Sequence, residues 1–127
     1  MSDTNNLKTE KIVIFATHGP DDPERATFPF VMGNAALAME SQVTVVLQGA
    51  GVALAKNGCY EHVFAAGLPP LKELVRDFVE QKGKIWVCMP CIKERQITAD
   101  MLVDGAEITA AGKVVTEVLE ADATLNY

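Results

Sequence analysis

At 127 residues and 13.7 kDa the chain has the size of one domain, long enough to bury a core without disulfides or metals. Its 49% apolar and 22% charged residues exclude a disordered, collagen-like or disulfide-scaffold chain. With 11 Lys and Arg against 17 Asp and Glu, a net charge of −6 and no basic run, it has little to offer a nucleic-acid backbone or a membrane surface.

Residues 1–9 are polar and lack the apolar centre of a secretory signal, so residues 1–10 are expected to be a flexible segment ahead of a single α/β domain over 11–127. Apolar runs such as 43–47 fall far short of the roughly 20 residues that span a bilayer. Three cysteines, an odd number without an export signal, point to reduced thiols in the cytoplasm. Residues 11–17 (KIVIFAT) form a continuous apolar run rich in β-branched residues, which suits a strand covered on both faces. Asp22-Pro23-Glu24 reads as a helix start, with an N-cap, Pro in the first turn and an acid. Pro29 leaves two options: a helix carried through the proline, or one that begins near Thr27 and runs to about Glu40. Residues 42–47 (QVTVVL) predict a second strand, and Gly49-Ala50-Gly51 a turn into a short helix over 52–56.

A weaker strand is expected over 62–66. After Pro69-Pro70, Leu71, Leu74, Val75 and Phe78 recur at i, i+3, i+4 and i+7, an amphipathic helix that Gly83 should stop. Residues 84–88 (KIWVC) predict another buried strand, followed by Pro90 and a helical turn from Cys91. A short helix over 99–103, a turn at Asp104-Gly105, a brief strand over 107–109, a helix over 110–120 and a last strand over 123–127 complete the pattern. Strands alternating with helices predict a three-layer α/β/α sandwich around a mainly parallel sheet of about five strands. In such sheets chemistry gathers at the carboxyl ends of strands, here segments 17–22, 48–51 and 88–95.

The sharpest motif is Cys88-Met89-Pro90-Cys91 with Lys93 and Arg95 behind it. A thiol at a helix N-terminus sees unpaired N–H donors and the positive end of the helix dipole, which favour the thiolate. The bland alternative is that both cysteines are small buried hydrophobes. Three chemistries stay open on spacing alone. A thioredoxin-like dithiol normally follows an early strand, whereas this pair comes after two-thirds of the chain. Structural zinc needs four ligands and would have to recruit Cys59, His18 or His62, none at zinc-motif spacing. A sulfur carrier would hold sulfane sulfur as a cysteine persulfide.

Residues 85–97, IWVCMPCIKERQI, resemble the signature of the DsrE/DsrF-like sulfur-relay family, which includes TusD-like and YchN-like proteins. Members carry a cysteine at the end of this strand, often a second three residues on, and an arginine-glycine pair after it. Cys88, Cys91 and Arg95 fit that spacing, and Gln96 stands where the family usually has glycine. The Val-rich second strand leading into Gly49-Ala50-Gly51-Val52 and the ending Val118-Leu119-Glu120-Ala121-Asp122 are also family-like. The resemblance implies an α/β protein assembled as a trimer or hexamer, handling sulfur between donor and acceptor proteins; with one CxxC and no second ligand pair at zinc spacing, no metal or cofactor is expected. It also implies Cys88 as the sulfur-bearing thiol, seven residues before Arg95; electrostatics alone would favour Cys91, which is otherwise the resolving thiol. Such a carrier takes part stoichiometrically or acts as a sulfurtransferase. The reading from a different class is a non-catalytic oligomeric binding or redox-sensing module of the same fold.

Thr17-His18-Gly19-Pro20-Asp21-Asp22 is the second constellation. His18 could serve as a base toward a thiol, with Asp21 or Asp22 orienting it; the plainer reading is a loop whose aspartates cap the next helix. Gln48-Gly49-Ala50-Gly51 resembles part of a dinucleotide fingerprint without its third glycine or ribose-binding acid, and is better read as a tight turn that lets backbone approach the active edge. Asn34 is expected to cap a neighbouring loop, Cys59 has no supported role, and Trp86 is expected in the core or at a subunit contact.

Overall fold

A computed structural model describes residues 9–127. The flexible segment expected over 1–10 lies outside the described residues except for Thr9 and Glu10, and the Glu10 carbonyl already accepts the Gln42 N–H at 2.8 Å. Strands β1 (Lys11–Ala16), β2 (Gln42–Leu47), β3 (Lys84–Cys88), β4 (Ala106–Thr109) and β5 (Ala123–Asn126) form one sheet in the order β4-β3-β2-β1-β5, and every neighbouring pair is parallel. The β-branched runs fill its centre because central parallel strands are covered on both faces.

Alternation along the strands sorts the core into two layers. Ile14 and Ala16 of β1, Val43, Val45 and Leu47 of β2, and Ile85 and Val87 of β3 pack under helices α1 (Pro23–Ala38), α2 (Leu71–Glu80) and α3 (Met89–Glu94) and the 3-10 segment Gly49–Ala55. Val13, Val46 and Trp86 point the other way, toward α4 (Ala111–Glu120) alone. The expected three layers are present, but very unequal in thickness.

Helix α1 starts at Pro23 with Asp22 capping the Arg25 N–H at 3.1 Å, and it continues through Pro29. The carbonyl that loses its helical partner there belongs to Arg25, an exposed residue. In α2 the four residues of the predicted stripe are the four buried ones. The link after β2 is a seven-residue 3-10 helix beginning at Gly49, and the helix expected over 99–103 shrinks to one 3-10 turn, Ala99–Met101.

The strand expected over 62–66 does not form. Its backbone is engaged in turns, with the Val63 N–H on the Tyr60 carbonyl and the Val63 carbonyl accepting from Leu71. Only Val63 is buried there, while Phe64 is 61% exposed. A short apolar run with one covered residue has no two-sided burial to hold it in a ladder. Nor does Gly83 supply the left-handed residue that ends α2: Lys82 does, at φ +72°. The Lys82 N–H bonds the Val79 carbonyl and the Gly83 N–H the Phe78 carbonyl, a Schellman ending with glycine one place later than expected. Gly83 is required for space, since a Cβ there would lie 2.5 Å from the Phe78 ring.

Candidate functional site

Because β1, β2 and β3 are adjacent and parallel, the three predicted segments emerge side by side at one edge of the sheet. Cys88 ends β3 and is at once the N-cap residue of α3, and Cys91 is the third residue of that helix. Pro90 is tolerated there because first-turn N–H groups have no helical acceptor. One helical turn thus brings the two half-buried thiols together: their sulfurs are 2.7 Å apart, and both cysteines are free.

Gly49 supplies a contact to this pair from the neighbouring strand's loop. Its N–H donates to Cys91 Sγ at 3.2 Å, and its φ of +55° suits glycine. Gly51 makes the approach possible, since a Cβ there would fall 2.1 Å from the Ala16 carbonyl oxygen. The tight turn expected at these glycines is present and brings backbone to the edge that holds the cysteines; that one amide meets a sulfur lies below what spacing alone can reveal.

Burial pushes the Cys88 thiol above the usual range, and the Cys91 thiol beside it pushes the same way; the Cys91 amide and the Arg95 charge pull weakly back. Position at a helix start therefore does not by itself leave Cys88 a thiolate. Arg95 is fixed by an Nη1–H bond to the Cys91 carbonyl at 3.2 Å. Gln96 follows with φ +56°, closing α3 as Lys82 closes α2: the Ile97 N–H reaches the Ile92 carbonyl and the Gln96 N–H the Lys93 carbonyl.

His18 stands on the loop after β1, with Nδ1 3.4 Å from Asp21 Oδ2. Asp21 is held below the usual carboxylate range, chiefly by the Gly19 N–H and then by His18. Asp22 is occupied as the α1 cap. The loop packs on the Gly49–Ala55 segment, with Gly19 tight against the Ala50 carbonyl, but His18 makes no hydrogen bond to either sulfur. Cys59 opens the 3-10 turn Tyr60–His62. Asn34 bridges α1 to α2, donating to the Leu74 carbonyl and accepting from Gln81. Among the described residues no group of three or more His, Cys, Asp and Glu side chains gathers in metal-binding fashion, and no helix is long and apolar enough to cross a membrane.

Glu117 went unnoticed in the sequence. It lies on the buried side of α4, 7% exposed, accepting from Thr44 Oγ1 at 2.8 Å and paired with Lys11 Nζ at 3.4 Å. Its signal was present: Glu117 stands three residues after Val114 on the apolar stripe. The cavity it lines, about 390 Å³ with Ser41, Gln42, Thr44 and Lys84, is at the amino ends of the strands, opposite the thiols.

The sequence profile of the DsrE/DsrF-like family matches residues 10–127. The uncharacterized protein MJ0760 of Methanocaldococcus jannaschii is 34% identical over 104 residues, 82% of this chain, which itself spans only 38% of that relative's length. MJ0989 of the same organism is 26% identical over 92% of this chain and 99% of its own length. Among solved structures, the ychN protein from E. coli superposes with a TM-score of 0.80 at 21% identity, covering 94% of this chain and all of that one. MTH1491 from Methanobacterium thermoautotrophicum does so at 0.75 and 16%, covering 93% and 99%.

Proposed function

This chain belongs to the DsrE/DsrF-like family, and from that premise we propose that it is a sulfur carrier working through the Cys88–Cys91 pair. The observation that carries the reading is two free, half-buried thiols 2.7 Å apart at the carboxyl edge of the sheet. The Cys88 thiolate attacks the outer sulfur of a donor persulfide. The donor's S–S bond breaks, its thiolate leaves and takes up the proton that Cys88 gave up, and Cys88 holds the sulfur as a persulfide. An acceptor thiolate attacking that outer sulfur takes it away and restores Cys88. Where no acceptor arrives, the Cys91 thiolate attacks Cys88 Sγ, hydrosulfide departs and a disulfide remains. The Gly49 N–H steadies Cys91 Sγ for that role, Arg95 adds positive charge beside the pair, and His18, held by Asp21, is the base toward an incoming thiol. Donor and acceptor proteins in the cytoplasm, and a trimeric or hexameric assembly, belong to the same reading.

The test is to load wild type, Cys88→Ser and Cys91→Ser with a sulfane-sulfur donor and weigh the intact proteins. Wild type should gain the mass of one sulfur, Cys88→Ser none, and Cys91→Ser should keep its adduct longer than wild type. Normal loading of Cys88→Ser with none in Cys91→Ser inverts the two roles. Loading that ignores both changes ends the reading. The same sulfur separation favours a redox-sensing pair as second reading, and a loss of two hydrogens without sulfur gain would select it.

The raised Cys88 titration adds a pH signature. A thiol whose ionisation is pushed up stays protonated at neutral pH, so alkylation of Cys88 should accelerate as pH rises through and beyond about 8.5, the ordinary thiol value. In Cys91→Ala one of the groups that raise it is gone, and the alkylation curve should move to lower pH. A curve unmoved by that change would show the two thiols to be independent.

A further inference from the structure

The cavity at the amino ends of the strands lies opposite the thiols and takes no part in their chemistry. At about 390 Å³ it has the size of a small-molecule site. Its wall is mostly polar: Ser41 and Gln42 at the start of β2 and Gln81 at the end of α2 line it, and only Leu37 and Val43 are apolar. Such a wall suits a polar ligand rather than a lipid.

Three charged residues line this cavity, and only one of them is matched. Glu117 accepts from Thr44 Oγ1 and pairs with Lys11 Nζ. Lys82 and Lys84 form no ion pair or side-chain hydrogen bond with any described residue. Gly83, pressed against the Phe78 ring, joins them, and Lys84 is held in the sheet as the register partner of Thr44. Core packing therefore fixes the backbone from which both lysines depart. The carbonyls that end α1 and α2 at this edge are already occupied by closing N–H groups: Ser41 on Ala36, Lys82 on Val79 and Gly83 on Phe78. The two ammonium groups are the unanswered charge of the cavity.

Lys82 adds a second observation. It holds the left-handed region at φ +72°, where glycine is the least costly residue. Backbone strain of this kind is tolerated where the side chain has a task.

We propose that this cavity binds a small polar metabolite carrying a dianionic oxygen group, a phosphate monoester or a dicarboxylate, anchored by Lys82 and Lys84. Two fixed cations match two negative charges, and Ser41, Gln42 and Gln81 offer hydrogen bonds to the rest of the ligand. The site is independent of the sulfur-carrier reading.

Ribose 5-phosphate and succinate would be titrated separately into the full-length protein by calorimetry at constant ionic strength, with singly charged acetate as control. Saturable binding of at least one dianion is expected, with acetate about tenfold weaker or more; the dianion that saturates tells phosphate from dicarboxylate. Lys82→Gly should weaken binding about tenfold, the order expected for losing a hydrogen bond to a charged group. The same change should raise the urea midpoint, because glycine relieves the left-handed backbone. Affinity lost in a more stable variant cannot come from unfolding. Lys84→Gln, at an exposed position, should weaken binding to a similar extent. No saturable binding of either dianion, acetate binding as tightly, or an affinity unchanged in either lysine variant would overturn the proposal.

Discussion

On one side of the sheet Ile14, Val45, Leu47, Ile85 and Val87 vanish beneath three helices and a 3-10 segment, in a cluster of twenty buried residues. On the other, Val13, Val46 and Trp86 share one ten-residue helix whose only buried apolar residue is Val114. The same five strands thus serve two layers held by different means. The thick layer is fastened by apolar packing and needs little else. The thin one relies on polar anchors: Glu117 to Thr44 and Lys11 at one end of α4, Lys113 to Glu107 and over Trp86 at the other. The thiol pair is built on the thick side, where Cys88 and Cys91 pack against the large cluster. Rigid packing beneath the two cysteines holds their sulfurs side by side.

The comparison breaks first at Phe78. Its ring meets Phe30 edge-on at 5.4 Å, and it is the wall against which Gly33 and Gly83 are fitted. Phe78→Ala should cost about 3–5 kcal/mol, whereas Val114→Ala on the thin side removes two methyl-sized groups and should cost about 1.5 kcal/mol. Urea unfolding of the two variants measures the ratio. Equal losses would mean that the layers are equally packed.

Glu117 sharpens the contrast. Removing its carboxylate in Glu117→Ala leaves the buried Thr44 hydroxyl without its acceptor and Lys11 without one of its two acids. An orphaned buried group costs about 1–3 kcal/mol, so this polar change should rival or exceed the loss of Val114. Glu117→Gln keeps an acceptor for Thr44 and should cost less. Hydrogen exchange should show the α4 amides losing protection while those of α2 keep theirs; a uniform loss would argue that the faces do not open separately.

The difference between the layers also decides what could be read beforehand. Strands β1, β2 and β3 and the stripe of α2 were legible because burial on both faces, or on one helix face, imposes a period on the residues. The run over 62–66 has apolar residues but no such demand, and propensity misled. The thiol pair was legible because three residues from a strand end to a helix turn fix its geometry. The Gly49 amide was not, since a backbone donor leaves no side-chain mark. Glu117 hides for another reason: an acid on an apolar stripe reads as a surface residue until its partners, 73 and 106 positions away, are brought beside it.

The smallest effect concerns how the helices end. The three helices of the thick layer close on a left-handed residue that is not glycine, Glu40 at φ +67°, Lys82 at +72° and Gln96 at +56°. Each makes the paired closing bonds of a Schellman ending, with the Ser41 N–H on the Ala36 carbonyl in α1. Helix α4 does otherwise: Ala121 turns straight into extended backbone toward β5, at φ −78° and ψ 148°. A side chain in the left-handed region costs about 1–2 kcal/mol, partly offset because glycine also frees the unfolded chain. Gln96→Gly should therefore stabilise the protein by about 0.5–1 kcal/mol, read as a higher urea midpoint at unchanged slope. Ala121→Gly, where nothing left-handed is needed, should destabilise it slightly. Because Gln96 directly follows Arg95 at the end of α3, Gln96→Gly should leave sulfur loading on Cys88 intact. A stabilised variant that loads more slowly would show that the strain at Gln96 helps to aim Arg95 at the thiol pair.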